Sequence, residues 1–438
     1  MPAAAPSSSP PGPLRAGSRQ WGGSPVIFLS AGEASGEHYG ALLAAAIQRQ
    51  LAITGQSAEL YGMGGPRMAA AHVDLVVRAE DMAVMGLTEV VLHLPRIYRE
   101  FRKLKRAIRA RRPAVAILID FPEIHFRLAR LFHQIGVPVI YFVSPQLWAW
   151  KQHRIQLVRK YIKRMLVIFP FEEPFYRERG VAAEFVGHPL AELPPPSITR
   201  EQFAAENHLD SARIWIALLP GSRLTEIRDH LPTLLEAARN LPSSTPGPHY
   251  EFLIPLAPTL NATQRAAVAR LVQKHGARLT IRLVPDARAS LFHARASVVA
   301  SGTATVEAAL IGNPFIVVYR VSPVTYAIAK RVVKLPHVAM ANLIAGKRVV
   351  PELIQHDFTA ANIVQQLARL LPDGPSRESM KMELEAIHKA LLGQAATSGR
   401  TRPGAIERAA AIVVEEMNTV SPVAYRATEP RQIETPEP

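Results

Sequence analysis

Between residues 25 and 193, short apolar runs at 26–30, 59–61, 73–77, 115–119, 139–143, 166–169 and 184–186 alternate with longer stretches. In the longer stretches, such as 97–108 and 124–135, apolar residues recur at helical spacing. The short runs predict strands and the long stretches predict helices. The alternation restarts at 214–219, 252–254, 279–283, 297–300 and 315–319, and from Phe358 to about Met417 the pattern is almost wholly helical. Strands alternating with helices predict parallel sheets covered on both faces. The fold class is therefore α/β, with two Rossmann-like domains followed by C-terminal helices.

Punctuation divides the chain. Pro194, Pro195 and Pro196 read as the start of a stiff linker over 194–210. It separates a first α/β domain, 25–193, from a second, 211–375, with helices at 376–417 expected to pack back on the first. Residues 1–24 and 418–438 are rich in Pro and polar or small residues and read as disordered tails. The run 297–319 has one charge, Glu307, and is about long enough to span a bilayer. It is broken by Ser301, Gly302, Thr303, Thr305, Gly312, Asn313 and Pro314, so it reads as strand, turn, helix, strand. The protein is expected to be soluble or peripheral.

Composition narrows the chemistry. The chain of 438 residues has no cysteine, which excludes disulfides, thiolate catalysis and cysteine-ligated metal centres. A formal net charge of +15 favours a polyanionic neighbour: nucleic acid, an anionic membrane or phosphorylated substrates. There is no Walker-type phosphate loop, no HExxH and no tight acid–histidine cluster, so no metal site is expected. His38, His125, His188 and His230 read as structural or substrate-contact residues.

In parallel sheets ligands bind at the carboxyl ends of strands, so chemistry is expected in the loops there. The first strand ends in Ser30-Ala31-Gly32-Glu33-Ala34-Ser35-Gly36-Glu37, where Glu33 and Glu37 either orient sugar hydroxyls or favour the positive helix end. Gly62-Met63-Gly64-Gly65-Pro66 has a similar character, or is a tight turn before a helix. Asp120 follows the fourth strand and is placed either to act as a general base or to cap the helix that follows Pro122. Leu219-Pro220-Gly221-Ser222-Arg223 offers Arg223 to a phosphate, or to an ion pair with Glu226. Ser301, Gly302, Thr303 and Ala304 open a helix whose amides and hydroxyls suit a diphosphate, with Glu307 one turn on for a ribose diol. The alternative there is a capped helix packed on its sheet.

The stretch 96–112 carries nine Lys and Arg residues and one acid, Glu100, with Ile97, Phe101, Leu104 and Ile108 on one helical face. Before it lies an apolar segment with Met82, Val84, Met85 and Leu87. An apolar loop beside a basic helix, with Arg102, Lys105 and Arg109 among its cations, points to membrane contact. Trp148 and Trp150, followed by Lys151 and Arg154, form a second candidate patch. A solvated face is the plain alternative. No RNA- or DNA-binding signature is present, and no nucleic-acid partner is expected.

The chain resembles the lipid-A-disaccharide synthase family, GT-B-type enzymes of glycosyltransferase family 19, from Val26 to about Ala410. The resemblance rests on Ala31-Gly32-Glu33-Ala34-Ser35-Gly36, Gly62-Met63-Gly64-Gly65, Val84-Met85-Gly86-Leu87 and Val143-Ser144-Pro145-Gln146-Leu147-Trp148-Ala149-Trp150. It continues through Phe169-Pro170-Phe171-Glu172, Val186-Gly187-His188-Pro189, Leu219-Pro220-Gly221-Ser222-Arg223, Ser301-Gly302-Thr303-Ala304 and Asn342-Leu343-Ile344-Ala345-Gly346. Nine motifs in order are specific.

The resemblance implies a GT-B arrangement and transfer of 2,3-diacylglucosamine from UDP to the 6-hydroxyl of 2,3-diacylglucosamine 1-phosphate. The donor is UDP-2,3-diacylglucosamine, the linkage β-1,6, the anomer inverted, and no cofactor or metal is used. It implies Asp120 as candidate base and Arg223 with Ser301, Gly302, Thr303 and Ala304 at the UDP diphosphate. Asn342 matches an asparagine important for activity in the family and is expected among the catalytic and UDP-sugar-binding residues, and Glu307 stays with the ribose. Glu33, Ser35, Glu37, Gly64 and Gly65 fall to the acceptor side. The implied location is the cytoplasmic face of the bacterial inner membrane, on its anionic surface, with a homodimer left open. One departure stands out: the family commonly has Asp-Phe-Asn after the proline that follows its base, whereas this chain has Glu123-Ile124-His125. An enzyme acting on a soluble UDP-sugar, such as an epimerase, and a non-catalytic membrane- or RNA-binding protein are the competing readings.

Overall fold

The computed structural model describes residues 24–82, 87–241, 250–332, 335–393 and 403–419. Residues 1–23 and 420–438, the bulk of the two expected tails, lie outside these. Among the described residues the strands are β1 (Val26–Ala31), β2 (Glu59–Gly64), β3 (Asp74–Arg78), β4 (Val115–Ile119), β5 (Val139–Phe142), β6 (Arg164–Val167) and β7 (Ala183–Phe185). They continue as β8 (Ile214–Leu219), β9 (Tyr250–Pro255), β10 (Ile281–Val284), β11 (Ala296–Ala300), β12 (Phe315–Tyr319) and β13 (Glu352–Ile354).

Two sheets result, ordered β3-β2-β1-β4-β5-β6-β7 and β10-β9-β8-β11-β12-β13. Neighbours such as β1 and β2, β5 and β6, β8 and β11, and β11 and β12 run parallel. Parallel neighbours need crossover helices, which is why almost every strand is followed by one. Strand order reverses at β1/β4 in the first sheet and at β8/β11 in the second. Ligands of open parallel sheets bind outside the carboxyl ends of strands at such reversals.

The described chain divides into one compact unit of residues up to Leu118 with Arg127–Val139 and the chain from Ala410, and a second of Ile119–Phe126 with Ile140–Ala409. In the first, Phe28 of β1 lies edge-on to Tyr61 and near Phe132, with centroids 5.4 and 5.0 Å apart. Leu43, Ile47 and Leu51 of the helix Ala34–Ile53 are fully buried. In the second, β8, β11 and β12 share a core with Leu231, Leu234 and Leu235 of the helix Leu224–Asn240. Helix Pro375–Leu392, expected against the first domain, adds Leu384, Ile387 and Leu391 to this core.

The run 297–319 resolves into most of β11, the helix Thr303–Ile311 and β12. No helix among the described residues is long and apolar enough to cross a membrane. The strand β13 has no counterpart among the expected strands, because its three residues lie between Pro351 and a turn and carry no periodicity. Helix Leu87–Arg111 also continues through Pro95.

Candidate active site

At the end of β1, Glu33 lies exposed at the head of helix Ala34–Ile53, and Ser35 is exposed in its first turn. Glu37 is buried and already engaged: its Oε1 accepts from the backbone amides of Arg67 at 2.6 Å and Met68 at 3.0 Å. It therefore caps the helix Pro66–Ala70, a partner thirty residues away that local spacing does not reveal. The glycines of the neighbouring strand end serve close packing. A Cβ on Gly62, at φ +156°, would stand 2.0 Å from the Leu29 carbonyl oxygen, and one on Gly65 would crowd the Glu37 carboxylate at 3.0–3.1 Å.

Asp120 leaves β4 half-buried, at φ +51°, and Phe121 follows at +52°. Two consecutive left-handed residues with side chains cost about 1–2 kcal/mol each. The surroundings hold this backbone in place. The Asp120 amide donates to the Phe142 carbonyl, and the His125 amide to the Phe121 carbonyl, each at 3.2 Å. The Asp120 carbonyl oxygen accepts from the Tyr141 hydroxyl at 2.5 Å and meets His125 Nδ1 at 2.5 Å. Both side chains are fully buried. Burial lowers the His125 pKa to about 3 and pushes that of Tyr141 well up, so both are neutral near pH 7. A neutral imidazole facing a carbonyl through Nδ1 carries its proton there.

Three residues beyond Asp120, the Glu123 carboxylate takes Arg154 at 2.9 and 3.0 Å and Lys151 at 3.0 Å. The Arg154 hydrogen bond leads in lowering its pKa to about 2.

Glu172 enters the sequence reading only as part of a motif, yet it organises a loop. It is buried, its Oε1 accepting from Ser144 Oγ at 2.6 Å and Trp148 Nε1 at 3.0 Å, its Oε2 from the Phe169 amide at 3.1 Å. Desolvation outweighs these donors and raises its pKa to about 7. The contacts fix the loop 143–150 after β5. An acid inside the apolar string Phe169-Pro170-Phe171-Glu172 is the signal that marks it.

In the second sheet, β8 delivers Pro220-Gly221-Ser222-Arg223 to the helix Leu224–Asn240. Glu226 Oε2 accepts from the amides of Ser222 and Arg223 at 3.0 and 3.3 Å, and its Oε1 meets Arg223 at 3.4 Å. The Arg223 side chain remains 61% exposed. Beneath the turn, buried His230 donates through Nδ1 to the Pro220 carbonyl at 2.7 Å and accepts the Arg320 amide through Nε2 at 3.0 Å. After β11, Gly302 stands at φ +149°, and a Cβ there would meet nothing within 4 Å. Thr303 is exposed at the first helical position. No side chain caps this helix start, while Thr305 Oγ1 turns back to the Gly302 carbonyl at 2.7 Å. Glu307 lies one turn in, its pKa raised by burial against the pull of Arg288.

Asn342, expected among the catalytic and UDP-sugar-binding residues, is held within the fold. It has no solvent exposure, and its whole amide is engaged inside the protein. Nδ2 donates to the Val350 carbonyl at 2.9 Å and to Glu352 Oε1 at 2.8 Å. Oδ1 accepts from the amides of Val349 at 2.7 Å and Val350 at 2.9 Å. Glu352 in turn takes the amides of Val338 and Ala339, at the head of the helix Met340–Ala345.

Residues 27–400 match the lipid-A-disaccharide synthetase family. A lipid-A-disaccharide synthase of Acidobacterium capsulatum is 58% identical over 376 residues, 84% of this chain and 92% of that protein. The chain belongs to the lipid-A-disaccharide synthase family. Its fold is similar to that of CalG4, the calicheamicin glycosyltransferase (TM-score 0.54, 18% identity, 91% of this chain and 99% of that one). It is also similar to a UDP-GlcNAc 2-epimerase from Neisseria meningitidis bound to UDP-GlcNAc (TM-score 0.53, 13% identity, 90% and 99%). The fold is thus of GT-B type and is shared by transferases and epimerases alike. Family membership decides between them: the chain is a glycosyltransferase of lipid A disaccharide synthesis.

Within this synthase family member, the expected membrane residues separate. Met82 is buried at 3% exposure, so it is not available for lipid contact. Val84 and Met85 lie outside the described residues, as does the side chain of Leu87. Leu104 and Ile108 face the interior with no exposure, while Arg102 and Arg109 are exposed and Lys105 half-buried. Tyr98 stands 63% exposed beneath Arg102. Trp148 is buried on Glu172, and Trp150 is the exposed one, with Lys151 Nζ 4.1 Å from its ring centre.

Proposed function

We propose that this enzyme transfers 2,3-diacylglucosamine from UDP to the 6-hydroxyl of 2,3-diacylglucosamine 1-phosphate, with inversion and without a metal ion. The products are the β-1,6-linked disaccharide 1-phosphate and UDP. The observation that carries the reading is a carboxylate, Asp120, delivered to the carboxyl end of β4 on a braced backbone, in a chain of this family.

Asp120 takes the proton of the acceptor 6-hydroxyl as that oxygen bonds to the donor anomeric carbon. The bond from that carbon to the diphosphate breaks on the opposite face, and UDP leaves with the electron pair. The developing charge is met by the uncapped amides at Thr303 and Ala304, by the Ser301 and Thr303 hydroxyls and by Arg223. The open space at Gly302 lets a diphosphate approach the main chain. Cationic and amide donors of this kind take up the charge that a metal carries in other transferases. Glu307 is assigned to the ribose diol, and Glu33 and Ser35, exposed after β1, to the acceptor sugar. Asn342 acts by position, holding the segment 349–352 against the helix Met340–Ala345.

Both substrates carry acyl chains, and the cationic face of helix Leu87–Arg111 gives the enzyme a reason to sit on an anionic membrane, at its cytoplasmic side. The reading is tested with Asp120→Ala, which should keep UDP affinity and lose disaccharide formation. Unaltered turnover removes Asp120 as the base.

A further inference from the structure

Asp120 is placed by its main chain, and the two groups that hold that main chain come from different elements. His125 lies on the helix Pro122–Gln134 and Tyr141 on β5. Each is wholly buried, and both reach the same carbonyl oxygen at 2.5 Å, an acceptor with two lone pairs. The carbonyl they hold belongs to the first of two left-handed residues, a conformation that side chains disfavour and that relaxes readily when unsupported. Relaxation of Asp120 from its left-handed φ would swing the carboxylate away from its direction.

We infer that His125 and Tyr141 are positioning residues for Asp120, locking the backbone that aims its carboxylate. The inference rests on Asp120 being the base. An asparagine in place of His125 would put its Nδ2 nearly where the imidazole Nδ1 stands. Either residue can donate one N–H to the carbonyl. Tyr141 supplies the second donor from a neighbouring strand, and neither side chain needs to touch substrate. Since burial holds His125 neutral down to about pH 3, the lock keeps its proton throughout the working range.

The test measures kcat, both KM values and UDP affinity for Tyr141→Phe, His125→Leu and His125→Asn, beside Asp120→Ala. Small displacements of a reacting group cost roughly tenfold to a hundredfold in rate. Tyr141→Phe and His125→Leu should each lower kcat by about tenfold or more, with KM and UDP affinity within about twofold of the parent. His125→Asn should recover most of the loss of His125→Leu. Tyr141→Phe keeps the ring volume, so it carries the test if His125→Leu fails to fold. Parent-like kcat in Tyr141→Phe and in His125→Leu, or in Tyr141→Phe alone where His125→Leu does not fold, with Asp120→Ala inactive, overturns the positioning role while leaving the base. An active Asp120→Ala overturns the base, and this inference with it.

Discussion

Asn342 Nδ2 donates to Glu352 Oε1 at 2.8 Å from a side chain with no solvent exposure. This pair joins a helix start to the edge strand β13, and the rest of the Asn342 amide is engaged by Val349 and Val350. Asn342→Ala orphans the Val350 amide and carbonyl and the part-buried Val349 amide, and each orphaned buried group costs about 1–3 kcal/mol. The variant should lose at least about 3 kcal/mol of stability together with its activity, read as a fall in melting temperature. Full stability with lost turnover would instead make Asn342 a direct ligand contact.

Glu172 makes stability depend on pH. Its folded pKa is raised to about 7 from an ordinary value of 4.5, so the folded chain holds this proton more tightly than the unfolded one. The stabilisation is complete below about pH 4.5 and is lost as pH rises through about 7, up to about 3 kcal/mol. Denaturation at pH 5 and pH 8 should show the parent weakening at the higher pH relative to Glu172→Gln. Equal pH dependence in both proteins contradicts the assignment.

Arg223 is exposed, and its pair with Glu226 at 3.4 Å contributes at most about 1 kcal/mol to folding. Arg223→Ala should therefore melt within a degree or two of the parent. Losing a charge-assisted contact to diphosphate should weaken UDP binding by roughly tenfold to a hundredfold. Calorimetric titration with UDP checks this, and undiminished affinity returns Arg223 to a surface ion pair.

No carboxylate pairs with Arg102, Lys105 or Arg109 among the described residues, whereas Arg96, Arg99 and Arg111 on the same helix have acidic partners. Replacing the three unpaired cations by Glu should weaken sedimentation with anionic vesicles by roughly tenfold or more, at about 1 kcal/mol for each cation. Equal binding would leave this helix a solvated face.

Much of the fold is legible because buried parallel strands are short apolar runs. β4, β8 and β12 begin and end where the runs do, whereas β6 starts two residues early at Arg164, a charged residue outside any apolar count. The candidate loops are legible because strand ends in such sheets are punctuated by small residues and acids. Their internal commitments are not. Glu37 caps a helix thirty residues on, Asn342 is consumed by the main chain of 349–350, and Glu172 is tied to Ser144 and Trp148 across twenty-odd positions. Such contacts depend on how crossovers return the chain, which periodicity does not encode. Met82 departs from expectation for the same reason: its apolar neighbours suggest a surface loop, and tertiary packing buries it.

Lipid glycosyl transfer with Asp120 as base can be followed in a single reaction mixture. The most direct measurement incubates the parent and Asp120→Ala with EDTA, detergent and the two acylated glucosamine substrates, and follows disaccharide 1-phosphate by mass spectrometry and UDP by release assay. Disaccharide and UDP should appear in equal amounts from the parent, and neither above background from Asp120→Ala, with UDP binding kept in both. UDP without disaccharide, or no product from folded parent protein that binds UDP, would contradict lipid glycosyl transfer.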